Sequence, residues 1–299
     1  MDRDASSPGL ACVVLAHGDP EQVHRLVEAL DPFPVYLHVD SRTSDDVFRQ
    51  ITSGLPSRCV ILPRRRTGWA TWGAVEAEIE GYREALSHPG ITHVALMTGA
   101  DYPLASSDEI RAFLGEHRDE SFTMFTTLPY VNWGRSGGFD RLRYRHWARG
   151  KRMIRLPVPR RLPADVRFAG GSTSKMLTVE HARAVVRTYD SEPDLAAFWR
   201  RTWAPDETFI ASVVNTPRFV PGWADHHVST PLWWIDWSGA RKKSPPWLDE
   251  SALPSLLARR LADDQAVPCL FARKFSTEVS GPLMDELDRA FGLRGAVRR

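Results

Sequence analysis

Lysine and cysteine are both scarce in this 299-residue chain. Of 39 basic residues only Lys151, Lys175, Lys242, Lys243 and Lys274 are lysine. Positive charge is therefore carried by arginine, whose planar fork suits phosphate and carboxylate groups. Cys12, Cys59 and Cys269 are odd in number, far apart and set in apolar strings such as LACVVLA and CLFA. That pattern supplies neither a disulfide framework nor metal-ligand spacing, so reduced structural thiols are expected. No apolar stretch approaches the ~18 residues of a membrane span, and no basic flank with an apolar run opens the chain. A cytoplasmic protein without a membrane span is the expectation. Net charge of +2 leaves no surplus to hold nucleic acid. GxGxxG behind the first strand, GxxxxGK[ST] anywhere, and D-x-D beside the strand ends are all missing, so dinucleotide, P-loop and cation-bridged diphosphate sites lack support.

The composition that remains, 42% hydrophobic and 25% charged, suits a soluble domain with a sizeable core. LACVVLAHGD is an apolar run ended by turn residues, as in a buried parallel strand. DPEQVHRLVEAL follows as a helix, with Asp19 as N-cap, Pro20 in the first turn and Val23, Leu26, Val27 and Leu30 on one stripe. PVYLHVD, DDVFRQITSGL, RCVILP, a helix over 71–87, THVALMTGADYPL and SSDEIRAFLGEH continue the alternation. Such an order over residues 1–118 predicts an α/β fold: a Rossmann-like, mostly parallel sheet with helices on both faces. The second half, 119–299, is irregular. SFTMFTTL and PLWWIDWSG read as strands, VEHARAVVRTYD, PDETFIASVVN and GPLMDELDRAFGL as helices. The Arg-rich span 141–167 shows little periodicity and reads as a solvated flap over a site, with an anionic acceptor surface as the weaker reading. No linker or repeat divides the chain, so 1–299 is expected to form one domain. Eleven tryptophans serve packing in the first instance, although Trp faces also stack on sugars and bases.

Ligands of open α/β sheets sit beyond the carboxyl ends of strands. Three strand ends carry polar groups here: His17 to Asp19, His38 with Asp40, and Thr98 to Asp101. Each can cap a turn or face a ligand. His38 and Asp40 could supply two metal ligands, but no D-x-D accompanies them to hold a diphosphate-bound cation, so metal dependence is not expected. An anionic donor bound without a cation needs basic side chains. Arg273 and Lys274 in LFARKF offer them, and Arg241, Lys242 and Lys243 add a basic loop. In APDETFI, Pro205 fixes a helix entry and either acid suits the first turn. Neighbouring helical positions diverge by about 100°, so Asp206 and Glu207 cannot both cap. The spare acid suits a general base that removes a hydroxyl proton. Adjacent carboxyls cannot flank a glycosidic bond, which needs ~5–10 Å between them, so a glycosidase would require a distant acid to fold into place.

Eight stretches then align in order: VVLAHGDPEQVHRLVEAL, VYLHVD, GWATWGAVEAE, TGADYPLASSDEIRAFL, GGSTSKMLTVEHA, PDETFIASVVNTP, WWIDWSG and LFARKF. Together, over about residues 10–277, they resemble the branching-enzyme glycosyltransferases, which include core-2/I-branching β-1,6-N-acetylglucosaminyltransferases and protein O-xylosyltransferases. The resemblance implies a GT-A-like fold and an inverting transfer of a GlcNAc- or xylose-like sugar from a UDP-sugar to an acceptor hydroxyl. It implies no metal and no cofactor beyond that co-substrate. Glu207 matches the general base and Asp40 the residue at the donor's nucleoside. Asp101 matches a residue near the donor sugar, and Arg273 and Lys274 the pair that neutralises the diphosphate. His38, Trp72 and Gly73 fall on the donor side of the matched stretches, with Ser174, Lys175, Trp233 and Asp236 on the acceptor side. Asp206 is left to start the helix. Two departures stand out. Ser174 and Lys175 replace the family's aromatic pair, and Trp233 stands where xylosyltransferase-like members carry Arg, a role Arg241 or Lys242 could take over. The absence of a membrane anchor suits a bacterial-type member acting on a small-molecule natural product or a glycan. The alternative is a nucleotide-sugar- or carbohydrate-binding protein of the same fold that has lost catalysis.

Overall fold

The computed structural model describes residues 9–149, 152–230, 232–237, 244–261 and 267–294. The chain runs β1 (Gly9–Ala16), α1 (Pro20–Ala29), β2 (Val35–Val39), α2 (Asp45–Thr52), β3 (Cys59–Ile61), α3 (Trp72–Ser87) and β4 (Ile91–Thr98). It continues through β5 (Asp101–Pro103), α4 (Ser107–Glu116), β6 (Ser121–Phe122), β7 (Phe125–Thr127), α5 (Phe139–Arg143), β8 (Tyr144–Arg149) and β9 (Arg152–Pro159). Next come β10 (Ala169–Gly171), β11 (Lys175–Thr178), α6 (Val179–Ser191), α7 (Pro193–Trp199) and α8 (Phe209–Asn215). The remaining elements are β12 (His227–Val228), β13 (Trp233–Ile235), α9 (Leu253–Leu261), β14 (Phe271–Arg273) and α10 (Thr277–Phe291).

Seven strands form the main sheet in the order β12-β6-β11-β4-β1-β2-β3. Its β4-β1-β2-β3 part is parallel, as the strand–helix alternation predicts, whereas β11 runs antiparallel to β4 and β6. Alternate residues of each strand enter different cores. Ala11, Val13, Tyr36, Val94, Leu96 and Leu177 pack under α3, α6 and α8. Leu10, Cys12, Val14, Leu37, Ala95 and Met97 pack on the other face with α1, α2 and α4. This two-sided burial explains why the strands read as continuous apolar runs. Close packing of α3 on β1 depends on Gly81, where a Cβ would lie 2.3 Å from Val13. The predicted cap of α1 is present: Asp19 accepts from the Gln22 amide at 3.2 Å. Among the described residues no helix is long and apolar enough to cross a membrane.

The second half departs from the sequence reading in three places. The Arg-rich span, whose sequence shows little strand periodicity, contains an antiparallel hairpin, β8–β9, with β9 almost wholly exposed. SFTMFTTL splits into β6, in the main sheet, and β7, which pairs with β10. PDETFIASVVN is not one helix: Pro205–Glu207 forms a 3-10 turn, and α8 begins only at Phe209. A three-stranded sheet, β13-β14-β5, stands beyond the end of β4 and is backed by α10.

Candidate active site

The carboxyl ends of β2 and β4 lie on either side of β1, since Val39 pairs with Ala16 and Thr98 with Leu15. Asp40 follows β2 and is almost fully buried. Its carboxylate accepts from the Arg42 amide at 2.8 Å, from the Arg42 guanidinium at 2.6 Å, and from the Thr67 hydroxyl at 2.9 Å. Burial alone would raise its pKa, but these donors outweigh burial and hold the group well below the usual carboxylate range. His38, two residues earlier, is fully buried and accepts from the Arg65 amide at 2.9 Å through Nε2. Desolvation lowers its pKa to about 4, so the ring is neutral at pH 7. His38 and Asp40 thus fasten the 64–67 loop over the ends of β1 and β2. Gly73 completes that arrangement, because a Cβ there would sit 2.1 Å from the Arg66 carbonyl oxygen.

On the far side of β1, Asp101 opens β5 and is fully buried. It accepts from the Thr98 amide at 2.9 Å, the Thr98 hydroxyl at 3.0 Å and the Trp233 indole at 3.3 Å. Arg273 Nε lies 3.5 Å from the same carboxylate. Desolvation raises the pKa of Asp101, opposed by Arg273 and the Thr98 donors. The register of β5, β14 and β13 sets Arg273 opposite Asp101 and beside Ile235. Lys274 extends from the end of β14, with its ammonium 3.9 Å from the centre of the Trp247 ring and 3.3 Å from the Ser244 hydroxyl. Burial, reinforced by Arg273, lowers its pKa.

Glu207 ends the 3-10 turn, with its side chain 35% exposed. Oε2 accepts from the Arg141 guanidinium, while Oε1 makes no hydrogen bond among the described residues. Arg141 is itself clamped, its guanidinium 3.8 Å from the Trp133 ring centre and 4.9 Å from that of Trp203. Such cation–π contacts hold the fork in place as well as attracting its charge. Space for the clamp comes from Gly170, where a Cβ would lie 2.4 Å from Trp133. Asp206 points the other way. Its Oδ1 is buried without a hydrogen-bond partner, so it caps neither the turn nor α8. Burial, and then the charge of Glu207, raise its pKa to about 7.

Comparison with known proteins decides the family. The Core-2/I-Branching enzyme family matches residues 10–255. The chain belongs to the core-2/I-branching enzyme family. Human xylosyltransferase 2 is 26% identical over 237 residues, covering 75% of this chain and 26% of that protein. Human xylosyltransferase 1 is 28% identical over 235 residues, covering 75% and 24%. The chain thus spans about a quarter of the length of these relatives. The family match stops short of Arg273 and Lys274.

Within this branching-enzyme family member, several expected site residues have other surroundings. Lys175 is fully buried and donates to Glu78 at 2.8 Å, with Tyr82 donating to the same carboxylate. It therefore cannot present its charge to an acceptor. Ser174 is also buried. Trp233 is buried on Phe271, with ring centres 4.8 Å apart, and serves Asp101 from behind. Trp72 is a core residue, stacked on Tyr189 and edge-on to Phe209 at 5.1 Å. It ties the start of α3, next to the Asp40 loop, to the helix that follows Glu207. Asp236 is half-buried just past β13. Arg241 and Lys242 lie outside the described residues. Arg42, Thr67, Arg141, Trp133 and Glu78 escaped the sequence reading. Arg141 left a trace there as the first residue of the Arg-rich span, and Glu78 as the last residue of GWATWGAVEAE, neither with a role.

Proposed function

We propose that this protein is an inverting, metal-independent glycosyltransferase that moves a GlcNAc- or xylose-like sugar from a UDP-sugar to an acceptor hydroxyl. The acceptor is a small molecule or glycan, and the setting is cytoplasmic. The observation that carries the reading is Glu207: a partly exposed carboxylate, clamped through one oxygen by Arg141 and open at the other. Oε1 takes the acceptor's hydroxyl proton as the acceptor oxygen bonds to the anomeric carbon from the face opposite the nucleotide. The bond from that carbon to the β-phosphate oxygen breaks, and UDP departs with the bonding pair. Attack from the opposite face inverts the anomeric centre. Arg273 and Lys274 supply positive charge for the departing diphosphate, the role a divalent cation has elsewhere. Asp101 orients Arg273, and Asp40 shapes the loop that would meet the nucleoside.

The test is product analysis with UDP-xylose and UDP-GlcNAc across an acceptor panel, beside calorimetry with UDP. Glu207→Gln is expected to keep UDP affinity and lose about 10²–10⁴ in turnover. Near-normal turnover in that variant defeats the assignment. Lys274→Ala should weaken UDP binding, and EDTA should leave turnover intact; strict dependence on a divalent ion defeats the diphosphate argument.

A further inference from the structure

The β8–β9 hairpin is the most unusual surface of the molecule. All of β9 except Met153 is exposed, so an eight-residue strand contributes almost nothing to the core. Its partner's inner side explains this placement. His146 is buried, its amide bonded to the Arg201 carbonyl at 2.8 Å and its ring 6.2 Å from Trp203. The opposite side of the ribbon therefore faces outward. Directly paired residues share a face, which places Arg145 beside Leu156 and Trp147 beside Ile154. Alternation along β9 adds Arg152 to that face. Ile154 and Leu156 are 46% and 42% exposed, and Val158, at the irregularity near the hairpin's base, is 67% exposed.

Charge on this ribbon is of one sign. From Arg141 to Arg161 the sequence contains no acidic residue. Arg145, Arg152 and Arg155 have no carboxylate partner among the described residues. We infer that the outward face of the β8–β9 hairpin docks on an anionic lipid bilayer, with Ile154 and Leu156 entering the headgroup boundary and Arg145 and Arg152 meeting lipid phosphates. An acidic protein would satisfy the arginines but leave the aliphatic pair without a counterpart. Single-stranded nucleic acid needs open aromatic faces, and the two here are covered, Trp147 by Arg201 at 5.4 Å and Tyr144 by Arg155 at 4.9 Å. A bilayer offers apolar and anionic groups at the same depth. Arg141 at the hairpin's root holds Glu207, so docking would bring the proposed base close to the membrane surface.

The experiment is co-sedimentation of the full chain with vesicles of phosphatidylcholine alone or with about one third phosphatidylglycerol, at low and high salt. Binding is expected only to the anionic vesicles and to fall with salt. Arg145→Glu/Arg152→Glu should weaken binding at least about tenfold, and Ile154→Ser/Leu156→Ser several-fold, with both variants retaining wild-type circular dichroism and Tm. Glu207→Gln should bind vesicles like the wild type, which separates this inference from the catalytic one. Failure to bind anionic vesicles at low salt overturns the proposal. So does wild-type binding by both hairpin variants, or equal binding to a polyglutamate peptide and none to vesicles.

Discussion

Asp206 and Glu207 share a turn and a charge type, yet their surroundings set them apart. Glu207 reaches Arg141 and solvent, whereas Asp206 is buried near Lys175 and Glu78, whose charges act on it in opposite directions. Asp206 sits beside the buried Lys175–Glu78 pair, and with its pKa raised to about 7 it passes from mostly protonated to mostly ionised between pH 5 and 8. A folded-state pKa raised from 3.8 means that the protonated form is the one the fold favours. That stabilisation is complete below about pH 4 and is lost as pH rises through about 7. Asp206→Asn keeps the shape without the titration. Its Tm should therefore gain on the wild type as pH goes from 5 to 8, by roughly 2–4 °C per kcal/mol. Differential scanning fluorimetry across that range is the check, and a constant difference would assign the proton elsewhere.

Pairs between elements show what the sequence revealed and what it hid. The strands and helices of the first half were legible because each carries its own signal: Asp19 and Pro20 at the start of α1, the unbroken apolar run of β1, turn residues after each. The hairpin was not, because Ile154, Leu156 and Val158 alternate with arginine and proline and no buried face marks them as strand. Of the site, Glu207 stood out as a surplus acid, whereas its partner Arg141 lies 66 residues away. Lys175 misled for the same reason: its partner Glu78, on α3, is 97 residues distant, and nothing local to β11 signals a buried cation. With both side chains at most 1% exposed, removing one partner leaves an uncompensated charge. Lys175→Met is expected to cost about 3–5 kcal/mol, and Lys175→Met/Glu78→Gln to recover most of it. Urea unfolding of the two single variants and the double variant measures the coupling. Additive losses would show that the pair does not act as a unit.

The third core places the basic pair under the control of the C-terminal helix. Strand β14, which ends in Arg273, lies between β13 and β5. Behind it, Leu283, Met284 and Leu287 of α10 are buried with Tyr102, Ala272 and Phe275. Polar ties fix the helix in place: the Thr277 amide donates to Asp19 at 2.9 Å, and Asp288 accepts from Arg25 and from the Tyr102 hydroxyl, each at 2.6 Å. The three apolar side chains alone are worth about 5–9 kcal/mol, at 1.5–3 kcal/mol each. A domain's whole stability is about 5–15 kcal/mol. Truncation after Ser276 is therefore expected to unfold the molecule outright, although the family match ends well before that point. Leu287→Ala is the graded version: it should cost about 2–5 kcal/mol and weaken UDP binding, while leaving the Arg141–Glu207 clamp, which lies outside this cluster, intact. Calorimetry with UDP and urea unfolding of this variant test the dependence. A destabilised Leu287→Ala protein that binds UDP at wild-type affinity would show that α10 supports the fold without positioning Arg273 and Lys274.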